Sequence, residues 1–410
     1  MTNGLSEPVI ISHPLIYMRY ISAHYIYPVS SPPLKNGIIC VNDHGEIVDL
    51  IDTHGQLKET EKLEFYNGII VPGFINAHCH LELSHLRNMI PPHTGLPGFL
   101  SSIGRIRPSE ERSIIQSAKD ADQEMLRNGI VAVGDISNQA DTIPVKINSN
   151  IHYHTFIEVF GLDDTKADII FNKARDTEKL FAGNNLRASI VPHAMYSVSE
   201  TLFSLLKQYY ETGSYISSIH HQESDEEITL YPKGLGALAG SFANNGLYPG
   251  EGTTEREIVK QMQNCLHSAS GYLLVHNTFV TSSDIQTRLQ QLPATSWVLC
   301  PCSNQYIQNR LPDISVFLDP SLNVCLGTDS LSSNTGLSIL EEMKTIHLHY
   351  PEVQLDRIIK WATLNGAKAL GMEQTLGSFD CGKKPGINLI TGIDYDRLQL
   401  SGNSKVQVII

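Results

Sequence analysis

From Pro72 to about Leu370 the sequence repeats one pattern, a short apolar run followed by a longer amphipathic stretch, and this alternation restricts the fold more than any other feature. The runs fall at 74–80, 129–136, 151–159, 186–193, 215–221, 270–277, 296–301 and 323–329. Eight strands alternating with helices over about 300 residues are what a closed (β/α)8 barrel of the α/β class requires. An open doubly wound sheet is the competing arrangement, but no glycine-rich nucleotide loop follows the first strand.

Before the barrel, GIICVN, GEIVDLID and LEFYNGIIV read as short strands between Gly, Asn and Asp turn signals; after it, GINLITGI and KVQVII read the same way. Both ends are therefore expected to build one side sheet. The expected division is 1–72 and 373–410 for that sheet and 73–372 for the barrel, with no internal repeat.

Chemistry on such a barrel sits at the C-terminal ends of its strands. The first strand ends in His78-Cys79-His80, and imidazoles two residues apart on a strand share a face. Spacing alone is weak: 17 histidines in 410 residues give somewhat under one His-x-His pair by chance, and the chain holds three. His152 and His154 lie within the third strand, where a buried hydrogen-bonded role is expected, and His347 and His349 sit in a helical pattern where residues two apart diverge. Placement separates the first pair from these. His220 and Glu223 close the fifth strand in IHHQES, His276 the sixth in LLVHNT, and Asp329 the eighth in LGTDS. His221 alternates away from His220 and is expected to pack, while His85, His93 and His267 fall in loops or helices.

A net charge of -13 argues against nucleic acid or an anionic membrane as partner and leaves a small molecule as substrate. Seven dispersed cysteines, mostly in apolar runs, match a reducing compartment, and Cys300-Pro301-Cys302 without a second pair is read as two structural thiols. The N-terminal segment has no signal-peptide pattern and no apolar run reaches about 18 residues, so a soluble cytoplasmic protein is expected.

The ordered set PGFINAHCHLELSHL, HHQES, LLVHNT, LCPCSN and LGTDSLSSN resembles the amidohydrolase superfamily, in its branch of cytosine, guanine and aminofutalosine deaminases and chlorohydrolase-like enzymes. The resemblance covers essentially the whole chain. It implies a TIM-like metal-dependent hydrolase barrel with a flanking β-sandwich. It further implies one divalent ion, zinc or alternatively iron, on His78, His80, His220 and Asp329. His276 would hydrogen-bond the attacking water or add a ligand, Glu223 would shuttle protons, and His193 in VPHAMYS would contact substrate.

Three imidazoles and one carboxylate leave such an ion positive and open, which lowers the pKa of bound water toward about 7. Asp329 could then accept a proton, and Glu223 could protonate a ring nitrogen and the leaving amine. Binuclear relatives use a lysine from the fourth strand; LRASIVPHAMYSVS has none, which favours one ion. The leading expectation is hydrolytic deamination of a C–NH2 group on a purine or purine-nucleoside-like compound, the wording LELSHL and TGLPGFL resembling aminofutalosine and adenosine-type deaminases. The alternatives are amide or ring C–N hydrolysis, as in imidazolonepropionase-like or cyclic-amide enzymes, and a non-catalytic barrel used in binding or assembly. Residues 84–108 and 224–256 are the long loops expected to shape the substrate site, and homodimers among relatives make a homodimer an expectation.

Overall fold

The computed structural model describes residues 18–58, 62–106, 111–233, 264–292 and 294–410, the side chains of 231–233 excepted. Strands β1 (Met18–Ile26), β2 (Leu34–Lys35), β3 (Ile38–Asn42), β4 (Ile47–Ile51) and β5 (Leu63–Pro72) come first. The barrel strands follow as β6 (Phe74–Cys79), β7 (Ile130–Ser137), β8 (His152–Val159), β9 (Arg187–Pro192), β10 (Ile216–His221), β11 (Gly271–His276), β12 (Thr295–Leu299) and β13 (Asn323–Leu326). The chain closes with β14 (Ile387–Asp394) and β15 (Gln399–Val408).

Both ends do build one sheet, in the order β15-β14-β5-β1-β3-β4 with β2 beside β1. Its own apolar core joins Ile21, Ile39, Ile70, Ile387 and Leu389. β5 runs into the first barrel strand through Gly73, whose N–H donates to the Pro385 carbonyl at 3.0 Å. A Cβ at Gly73 would stand 2.5 Å from that same oxygen, so the close approach of the two segments requires glycine there.

In the barrel, β6-β7-β8-β9 and β10-β11-β12-β13 are two runs of parallel neighbours. Two seams close the ring. At one, the His220 N–H donates to the His193 carbonyl at 2.9 Å; at the other, the N–H groups of Thr328 and Asp329 donate to the His78 carbonyl at 3.1 and 3.0 Å. Strand side chains on one side, such as Ile75, Ala77, Phe156, Val191, Val275 and Val298, pack with Leu370 and Met372 to fill the interior. Those on the other, such as Phe74, Val133, Ile190, Leu274 and Trp297, pack against helical residues including Met125, Phe181, Leu206 and Ile359. This double burial is why the barrel strands read as nearly unbroken apolar runs.

The loop expected to shape one wall contains a 3₁₀ turn, Leu81–Leu86, and a helix, Gly95–Arg105. Leu96 and Phe99 of that helix pack with Tyr196, Leu230 and Ile307. Of the second loop, the helix Asp225–Lys233 is described and 234–256 lie outside the described residues. Among the described residues no helix is long and apolar enough to cross a membrane.

Candidate metal centre

Four strand ends deliver the donors. His78 comes from β6, His220 from β10 and His276 from β11, all buried, while His80 follows β6 and Asp329 lies three residues beyond β13. Local backbone aims them. β6 shifts register against β7 between Asn76 and Cys79, a bulge-like irregularity of the kind that redirects side chains. His276 (φ 76°), Asn277 (φ 56°) and Asp329 (φ 57°) occupy the left-handed region, rare for such residues and frequent where function dictates backbone.

Nε2 of His78 and Nε2 of His80 stand 3.1 Å apart, and Oδ1 of Asp329 lies 3.6 and 3.4 Å from them. Donors bound tetrahedrally at about 2.0–2.1 Å from an ion are about 3.3 Å from one another, so these spacings fit a shared cation. His78, His80 and His220 place donor atoms mutually within 4.8 Å, as do His78, His276 and Asp329.

Protonation states agree with that use. Burial pushes His80 and His276 well below their ordinary value, against the attraction of Asp329, and pushes His220 down to about 4. Burial alone would raise Asp329, but the imidazoles of His78, His80 and His276 hold it well below the usual carboxylate range. Neutral imidazole and ionised carboxylate are the forms that bind metal. Glu223 goes the other way: burial, reinforced by the charges of Asp329 and Glu227, raises it well above the carboxylate range, a shift that favours its protonated form.

Hydrogen bonds select the nitrogen that each ring offers. Nδ1 of His220 lies 2.9 Å from the His193 carbonyl, an acceptor only, so Nδ1 is protonated and Nε2 keeps its lone pair. Nδ1 of His276 faces the amide nitrogen of Asn304 at 3.2 Å, which puts the proton on Nε2, 3.7 Å from Oε1 of Glu223. His193 stands at the edge with its ring 4.8 Å from that of His220 and Nδ1 on Ser197 Oγ at 2.7 Å.

The other pairs are elsewhere. His154 is buried against Ser189 Oγ at 3.0 Å, His152 is exposed, and His347 bonds the Val353 carbonyl at 2.9 Å. His221 packs at the edge of Trp297 with Nδ1 on Asn277 Oδ1. All seven cysteines are free thiols.

Several residues that hold the centre escaped the sequence reading. The hydroxyls of Ser303 and Ser333 both donate to Oδ2 of Asp329 at 2.6 Å, leaving Oδ1 toward the imidazoles. Glu227 accepts the N–H groups of Gln222 and Glu223, and Glu342 accepts the Cys302 N–H and the Asn334 amide. Glu82 and Glu158 flank Asn138, which binds both. The serines and Glu82 lie inside motifs already singled out; Glu158, Glu227 and Glu342 carry no local sign in the sequence.

A parallel barrel that gathers imidazoles and a carboxylate at the C-terminal ends of its strands defines the class of metal-dependent barrel hydrolases. Comparison with known proteins agrees. An adenosine deaminase from Helicobacter pylori (strain ATCC 700392 / 26695) is 26% identical over 340 residues, covering 79% of each chain. The crystal structure of Helicobacter pylori aminofutalosine deaminase in complex with methylthio-coformycin superposes with a TM-score of 0.74 at 24% identity, covering 91% of this chain and 92% of that one. An adenosine deaminase from Xanthomonas campestris with bound zinc gives a TM-score of 0.69 at 20% identity, over 90% and 84%. Residues 69–408 match the amidohydrolase family, and the chain belongs to it: a hydrolase acting on carbon–nitrogen bonds.

Proposed function

We propose that this chain is a metal-dependent hydrolytic deaminase of adenine-type nucleosides. The observation that carries the reading is the buried Glu223, its Oε1 3.7 Å from Nε2 of His276 at the edge of the donor cluster, in surroundings that favour its acid form, since deamination needs an acid for a ring nitrogen and for the departing amine. The relatives named as deaminases of adenosine and aminofutalosine support the substrate class.

His78, His80, His220 and Asp329 would hold one divalent ion, with zinc favoured by the zinc-bearing neighbour. Such an ion supplies a Lewis acid that makes water available as a nucleophile near neutral pH. The residues do the rest. Nε2–H of His276 donates toward the incoming oxygen and keeps it over the carbon. Glu223 delivers its proton to the ring nitrogen and takes one from the attacking water as the C–O bond forms; it passes that proton to the amino nitrogen as the C–NH2 bond breaks to release ammonia, and the second water proton leaves the new hydroxyl to restore protonated Glu223 as the carbonyl forms. Nδ1 of His193 is spent on Ser197, so Nε2 is the atom it presents to substrate. β9 and the residues that follow it to Ser199 contain no lysine to bridge a second ion, and the buried Lys146 is paired with Asp135 at 2.6 Å.

The test is ammonia release from adenosine, aminofutalosine, guanine and cytosine by protein whose metal has been counted. Glu223→Gln is expected to lower release about 10²–10⁴-fold with metal content unchanged. Ammonia release by this variant at the wild-type rate would sink the mechanism. A ring-opened product without ammonia, on two ions per chain, would reassign the enzyme to amide-type hydrolysis.

A further inference from the structure

Glu158, near the end of β8, is buried, yet its Oε1 has no hydrogen-bond partner among the described residues. That oxygen lies 3.5 Å from Nδ1 of His220, whose N–H already donates to the His193 carbonyl. The carboxylate does not drift there by default. The Asn138 amide donates to the Glu158 carbonyl at 3.1 Å and to Oε2 at 3.4 Å, while the Asn138 backbone N–H is fixed by both oxygens of Glu82 at 3.0 Å. A chain of contacts thus runs from the loop after β6, through the loop after β7, to the back of His220.

Glu158, His193 and His220 also place donor atoms within 4.8 Å of one another, which raises the question of a second cation. Two of the three donors are engaged. Nδ1 of His220 gives its proton to a carbonyl, and Nδ1 of His193 is held by Ser197. The His193 carbonyl holds the ring by its hydrogen bond, and the Glu158 carboxylate stands 3.5 Å behind the same N–H, where negative charge makes the far nitrogen a stronger donor.

We propose that Glu158 is a positioning residue for His220, strengthening Nε2 as a metal donor from behind the hydrogen bond to the His193 carbonyl, with Asn138 as the clamp that aims it. The proposal rests on the reading of His220 as a ligand.

The full chain is tested with Zn2+ and Co2+ as probes. Zinc affinity is read by competition with a chromophoric chelator, geometry by the visible bands of the cobalt-substituted protein, and folding by melting of the metal-free form. Glu158→Gln, which keeps the shape and removes the charge, is expected to bind zinc 10–100-fold more weakly and to shift the cobalt bands, with metal-free melting unchanged. Asn138→Ala, which retains the backbone bond to Glu82, moves affinity the same way by less, and carries the test if Glu158→Gln does not fold. His220→Ala separates the two ideas. Wild-type zinc affinity in that variant would remove the ligand reading itself. Loss there, with wild-type affinity and cobalt bands in Glu158→Gln and Asn138→Ala, would overturn the proposal alone. A second zinc equivalent that disappears with Glu158→Gln would also overturn it, making Glu158 a ligand.

Discussion

Asp329 divides its labour between two oxygens. Oδ1 faces His78 and His80, and Oδ2 takes both serine hydroxyls. Two short bonds to one oxygen hold the carboxylate plane, and with it the direction of Oδ1, better than either alone. Ser303→Ala or Ser333→Ala is expected to lower kcat/KM and zinc affinity about 10-fold, and the double variant at least 100-fold. Steady-state kinetics on metal-counted protein check this. Full activity in the double variant would mean that the backbone of Asp329 suffices. At this scale the sequence was legible wherever a side chain sits at the end of a strand, because strand ends can be read from one segment. Ser303 and Asp329 are 26 residues apart and Glu82 and Asn138 are 56 apart, so those pairings exist only once β12 has paired with β13 and β6 with β7. His276 is a subtler case: strict alternation groups it with Leu274, which packs outward, and the left-handed backbone at 276 turns it inward.

Among the elements, the junction of β6 and β13 is where closure and chemistry meet. Gly327 follows β13, and a Cβ there would lie 2.8 Å from His78 Cβ, 3.0 Å from the His78 nitrogen and 3.0 Å from Cys300 Sγ. Backbone cannot yield as a flexible side chain can, so Gly327→Ala must push β6 away from β13. We expect a loss of about 1–3 kcal/mol together with weaker zinc binding. Urea denaturation with and without metal measures both; an unperturbed melt with full metal content would show that the seam gives way freely. All eight barrel strands lie within a few residues of the apolar runs that announce them, since burial on both faces leaves continuous apolar stretches. The seams left no trace in the sequence, because the contacts between the first and last barrel strands and between β9 and β10 join backbone groups to one another and to side chains such as Asn76 and Ser189 that carry no local sign of their partners.

Across the whole molecule, buried groups of opposite kinds set how the metal-free protein responds to pH. Burial pushes His154 and His221 down to about 3, so below pH 6.5 the unfolded chain takes up protons that the folded chain refuses, and stability falls as pH falls. Burial pushes Glu227 and Glu342 up to about 7 from 4.5; here the folded chain keeps protons that the unfolded chain releases, and stability is lost as pH rises through 7. Each group contributes on the order of 1–3 kcal/mol between pH 5 and 7, with opposite sign. His154→Gln is therefore expected to make urea stability less sensitive to acid, and Glu342→Gln more sensitive. Parallel stability curves for both variants and wild type, over pH 5 to 7, would refute the assignment.

The strand that carries His78 and leads into His80 is rooted in the terminal sheet, where Pro72 pairs with Ile387 and Gly73 reaches Pro385. A ribosome makes those partners about 315 residues apart, so the edge of β5 waits through the synthesis of the entire barrel before β14 arrives. The strand that leads to His78 and His80 thus completes its footing in the terminal sheet only after the whole barrel has been made, so the site candidates translated first await a partner translated long after them.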